Sequence, residues 1–143
     1  GSTEARQVLV REALTYLDRL SAQAGDDVAL ASELADAYEK IGDVQGNLYG
    51  PNLGDAAGAK TSYARLIDLR RAVDAARPGD AAARAGLANA EIRLADMALG
   101  ESRYADAAAG YQRAVDLLGA AATTAPSDGQ AVIAGRAHGR LGV

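Results

Sequence analysis

One histidine, no cysteine and a scatter of carboxylates limit the chemistry this chain could carry. His138 lies in Gly135-Arg136-Ala137-His138-Gly139-Arg140. With no Cys it completes no recognisable zinc set, and no nearby Ser and Asp stand in an order that suggests a nucleophilic triad. It reads as a partly exposed helical histidine. Gly54-Asp55-Ala56-Ala57-Gly58-Ala59-Lys60-Thr61 has the composition of a phosphate-cradling loop. Its glycines stand one residue too close for that motif, and Ala59 separates Gly58 from Lys60 where Lys must follow directly. The acids Asp26, Asp27, Glu33, Asp36, Glu39 and Asp43 gather around one stretch, where paired carboxylates could exchange protons. Two of them are better read as helix caps and the rest as a solvated face. No catalytic residue, metal ligand or cofactor is therefore expected, and the remaining function class is binding.

Composition narrows the partners. The 143 residues carry a net charge of -4, with acids and bases interspersed and no Lys/Arg run. That argues against nucleic acid and against an anionic membrane surface. No apolar run approaches the roughly 18 residues of a membrane span, so direct membrane insertion of this segment is not expected. Hydrophobic residues make up 49%, much of it alanine, with no Trp or Phe. Such a core is built from close helix contacts rather than large aromatic plugs. The three prolines, Pro51, Pro78 and Pro126, fall at predicted helix ends or in a loop, in keeping with a nearly all-helical chain.

The elements that would position any site are helical hairpins. Ala59, Tyr63, Leu66 and Leu69 repeat a pattern seen again in Ala107, Tyr111, Ala114 and Leu117, and partly in Ala13, Tyr16, Leu17 and Leu20. A small residue, then Tyr, then an apolar residue, each about one turn on, share a helix face that another helix can approach closely. The spacing predicts helices over 3–24, 28–44, 55–77, 81–99, 103–123 and 129–141. Val8, Leu9, Ala13, Tyr16, Leu17 and Leu20 should form the inward stripe of the first, and Leu30, Leu34, Ala35, Tyr38 and Ile41 that of the second. Asp55 and Asp80 should cap the third and fourth. Residues 45–54 hold three Gly, two Asn and a Pro and read as an inserted loop. Short connections force neighbouring helices antiparallel. The expected fold is all-α: a single domain over 1–143, with about six helices in a right-handed superhelix and a closed bundle as the competing architecture.

The residues Leu34-Ala35, Tyr38, Gly54-Asp55, Ala59, Tyr63 and Leu66, and then Leu94-Ala95, Ala98, Tyr104, Ala107, Tyr111, Ala114 and Pro126, resemble the tetratricopeptide repeat. That family repeats about every 34 residues, whereas Tyr63 and Tyr111 lie 48 apart. The excess is assigned to lengthened third and fourth helices. A narrower resemblance is carried by Val10-Arg11-Glu12-Ala13-Leu14-Thr15-Tyr16-Leu17-Asp18-Arg19-Leu20. It continues in Glu33-Leu34-Ala35-Asp36-Ala37-Tyr38-Glu39-Lys40-Ile41-Gly42-Asp43-Val44-Gln45-Gly46-Asn47 and Asn52-Leu53-Gly54-Asp55. These segments look like the repeats that follow the kinase domain in bacterial serine/threonine protein kinases of the eukaryotic type. The resemblance implies a sensing or docking region on the extracytoplasmic side of the inner membrane. A free-standing adaptor in the cytoplasm is the alternative location.

In such repeats the first helix of each pair lines a concave groove, which implies a partner-binding face of Ser32, Asp36, Glu39 and Lys40, then Asn89, Ile92 and Asp96, then Arg136 and Arg140. Acidic at one end and basic at the other, it would suit a protein or an extended peptide with a basic segment. The Lys and Asn pairs with which some family members clamp a terminal carboxylate are missing at the matching places. The loop residues Asn47, Tyr49 and Asn52 are further candidate contacts, while Leu48, Tyr49 and Leu53 are expected to pack back on the helices. The expected function is a non-catalytic protein–protein interaction module. The alternatives are end-to-end self-association as a homodimer through two uncapped ends, the open first helix and the sparse final helix, and a small-ligand sensor with a pocket bounded by the inserted loop.

Overall fold

The structure, a computed structural model, describes residues 2–120. All its regular elements are helices: α1 (Ser2–Gln23), α2 (Val28–Gly46), α3 (Ala56–Ala76), α4 (Ala81–Gly100) and α5 (Tyr104–Ala120). The sixth expected helix lies outside the described residues. Among them, no helix is long and apolar enough to cross a membrane.

The starts of α2, α3 and α4 follow from local chemistry. Gly25, Gly54 and Gly79 hold φ of 54°, 74° and 78°, a left-handed turn that suits residues without a Cβ. An aspartate follows within two residues of each. Asp27 accepts from the Leu30 N–H at 3.0 Å, Asp55 from the Gly58 N–H at 2.9 Å, and Asp80 from the Ala82 and Ala83 N–H groups at 2.9 and 3.1 Å. These bonds satisfy amides that the first turn leaves without partners. The α4–α5 turn is different. Ser102 takes a φ of 60°, and Arg103 ties the turn to α5 through Glu101 at 3.0 Å and Asp106 at 2.9 Å.

The chain divides into two compact units, Gly1–Ala72 and Val73–Val143. In the first, the buried hydrophobic residues are Val10 and Leu17 of α1, Ala31, Leu34, Ala35 and Tyr38 of α2, and Ala59, Tyr63, Leu66 and Ile67 of α3. The expected stripe on α1 needs correction. Val8, Leu9 and Tyr16 are 43%, 64% and 59% exposed. With about 3.6 residues per turn, Val10, Leu14 and Leu17 share one face, and Tyr16 stands about 100° away from Leu17. The six residues covered too wide an arc to face one neighbour.

In the second unit, Ala88, Ile92, Ala95 and Ala98 of α4 pack with Ala107, Tyr111 and Ala114 of α5. Leu99, Val115, Leu117 and Leu118 close the cluster. Small residues set the spacing: a Cβ on Gly110 would lie 2.8 Å from the Ala95 Cβ. The Arg84 guanidinium meets Asp74 at 2.9 Å and ties α4 to the last turn of α3.

Candidate functional site: a cleft beside the first helix

A single device recurs at three helix pairs. The Tyr38 hydroxyl of α2 donates to Asp18 of α1 at 2.5 Å, that of Tyr63 of α3 to Asp43 of α2 at 2.6 Å, and that of Tyr111 of α5 to Asp96 of α4 at 2.5 Å. All three rings are buried. Each ring therefore fills core volume, while its hydroxyl fixes the register against the preceding helix. Gly42 makes room for the second clamp, because a Cβ there would overlap the Tyr63 ring. Burial, then the hydrogen bond to Asp18 and its negative charge, push the Tyr38 phenol well above its ordinary value, with the nearby Arg65 charge acting in the other direction.

The loop between α2 and α3 closes on itself. The Leu53 N–H donates to the Val44 carbonyl at 2.9 Å and the Asp55 N–H to the Gln45 carbonyl at 2.8 Å, so the loop leaves α2 and returns beside its last turn. The Asn52 amide donates to the carbonyls of Asn47 (2.8 Å) and Gly50 (3.0 Å), and its oxygen accepts from the Gly54 N–H at 2.7 Å. Asn47 accepts from the Tyr49 N–H at 2.9 Å. These two side chains, expected as partner contacts, are engaged with the backbone of their own loop. Leu48 and Tyr49 are exposed rather than packed back, and only Leu53 is partly covered.

Below this closure α1, α2 and α3 enclose a cleft of about 420 Å³. Val10, Leu14 and Leu53 form its apolar wall. Tyr38, Gln45, Thr61 and Ser62 supply hydroxyl and amide groups, and Arg11, Arg65, Asp18 and Asp55 supply charge. Gln45 and Ser62 are buried, and the Ser62 hydroxyl donates to the Gln45 oxygen at 2.5 Å. The Gln45 amide nitrogen reaches Asp55 at 3.5 Å. A smaller hollow of about 330 Å³ shares Asp18 and Arg65 with the cleft. The arrangement can hold a ligand. Its Ser62 hydroxyl is held by an amide oxygen and not by a base, and among the described residues no three His, Cys, Asp or Glu side chains could hold a metal ion.

The residues assigned to a groove belong to both units. Ser32, Asp36, Glu39 and Lys40 share one face of α2, with Asp36 and Lys40 exposed. Asp36 is paired with Arg70 at 2.5 Å. Asn89 is half-buried on α4. Two assignments are corrected: Ile92, 0% exposed, is part of the α4–α5 core, and Asp96, 4% exposed, is the acceptor of a tyrosine clamp. Arg136, Arg140 and His138 lie outside the described residues. Sequence reasoning passed over Arg11, Gln45, Ser62 and Arg65. A signal existed on α1, where Gln7, Val10, Arg11, Leu14 and Asp18 recur at helical spacing as one mixed face. Compared with protein-family models, with curated proteins and with solved structures, the chain finds no match.

Proposed function

We propose that this chain is a non-catalytic protein–protein interaction module, a tetratricopeptide-like array whose six helices wind as a right-handed superhelix. Its parent is proposed to be a bacterial serine/threonine kinase, for which it serves as sensor or docking region. The observation that carries the reading is the repetition of one pairing device: a buried tyrosine whose hydroxyl is held by an aspartate of the preceding helix, at Tyr38, Tyr63 and Tyr111. Repeated pairing of this kind is how helical arrays extend a surface for partners. The binding face is proposed on α2, at Ser32, Asp36, Glu39 and Lys40, which suits an extended peptide of mixed charge.

A photo-crosslinking residue at Lys40 should trap a protein in the source cell, and Asp36→Arg should abolish that product. No product at Lys40 would remove this face from the proposal. Reading the gene upstream of the Gly1 codon checks the kinase context, which fails if only further repeats or a start codon precede it. One observation favours a second reading, self-association: Leu9, Tyr16 and Val8 present an exposed apolar strip on α1.

A further inference from the structure

We propose that the cleft beside α1 binds a small organic carboxylate with an apolar body. The inference is independent of the protein–protein reading, because it concerns a different face of the first unit. The cleft volume, about 420 Å³, falls within the range of small-molecule sites. Its wall is preset: the Gln45 and Ser62 side chains are 3% and 1% exposed and hold each other. Such a wall loses little freedom when a ligand arrives.

The hydrogen-bonding capacity left open decides the ligand class. Four charged side chains line the cleft, two of each sign. The acids are engaged. Asp18 accepts the Tyr38 hydroxyl, and Asp55 accepts the Gly58 N–H at 2.9 Å and lies 3.5 Å from the Gln45 amide. The guanidinium groups of Arg11 and Arg65 form no ion pair or hydrogen bond among the described residues. Neutral donors leave both carboxylates negative, but the hydrogen-bond donors still open to a ligand are guanidinium N–H groups, and guanidinium is the group best shaped to hold a carboxylate through paired N–H donors. Val10, Leu14 and Leu53 offer the rest of the ligand a hydrocarbon surface, which a bare inorganic anion would leave empty. Leu53 is held there by its backbone bond to Val44, so the inserted loop supplies one side of the site.

The test uses the full chain labelled with ¹⁵N and titrated with sodium benzoate and sodium 3-phenylpropanoate. Benzamide, benzylamine and inorganic phosphate serve as comparison probes. At least one carboxylate should shift the amides of Leu53 and Ser62 saturably, with a Kd of about 1 mM or tighter. Arg11→Gln and Arg65→Gln should each weaken it about tenfold while leaving the melting temperature in place, and Lys40→Gln should change nothing. Equal shifts from benzamide or benzylamine would overturn the charge selection. Equal shifts from phosphate would overturn the apolar body. No shift from either carboxylate at about 20 mM would overturn the site itself.

Discussion

Tyr38, Tyr63 and Tyr111 each do two jobs, and the hydroxyl can be separated from the ring. Replacing any one by Phe keeps the packing and removes a hydrogen bond to a carboxylate. The expected loss is about 1–3 kcal/mol, read from urea unfolding. Tyr111→Phe should sit at the upper end, because Asp96 is buried. Alkali provides an independent check at Tyr38. Its raised native pKa means that the unfolded chain releases the phenolic proton first, near about pH 10. Above that pH the unfolded state binds fewer protons than the native one, so this contribution to stability is full below about pH 10 and falls as pH rises. Tyr38→Phe should flatten the alkaline decline in melting temperature. Gly42→Ala should destabilise by about 1–3 kcal/mol, since its Cβ would displace the Tyr63 ring. The small-Tyr-apolar spacing made Tyr63 and Tyr111 legible in the sequence. Their acceptors were not, because Asp43 and Asp96 lie across a turn whose path must be known before the pair can be seen. Tyr16 shows the limit of the spacing rule: it carries the same local signature and is exposed.

Helix boundaries were the most legible part of the chain, because Gly and Asp announce them chemically. Asp55 and Asp80 cap α3 and α4 as their positions suggest. α2 runs on to Gly46, past the expected end, because closure of the loop gives its last carbonyls partners at Leu53 and Asp55. The faces of α4 were poorly legible. Alanine lies all around it, so hydrophobic contrast does not mark which side turns inward. Ile92 and Asp96 were placed outward for that reason. The loop makes a prediction of its own. Asn52→Ala removes three hydrogen bonds and should raise amide exchange across residues 47–54 while leaving α4 and α5 protected. Unchanged exchange would mean that the backbone bonds at Leu53 and Asp55 suffice to hold the loop.

For the whole molecule, the boundary at Ala72–Val73 falls inside a continuous helix, with no Pro or Gly to announce it in the sequence. Neither composition nor turn signals could have revealed it there. The self-association reading belongs to this scale. If the α1 strip pairs two copies, sedimentation at rising concentration should show a dimer, and Leu9→Ser with Tyr16→Ser should return it to monomer. A monomer at all concentrations would leave the strip without that role. The six tyrosines also give the molecule a built-in optical reporter. With no tryptophan present, its ultraviolet emission comes from tyrosine alone. Three of the six are buried with their hydroxyls on carboxylates, an arrangement that drains the excited state, while Tyr16, Tyr49 and Tyr104 face solvent and dominate the light. Unfolding should therefore brighten the protein, and a partner seated near an exposed tyrosine should alter the emission with no unfolding at all.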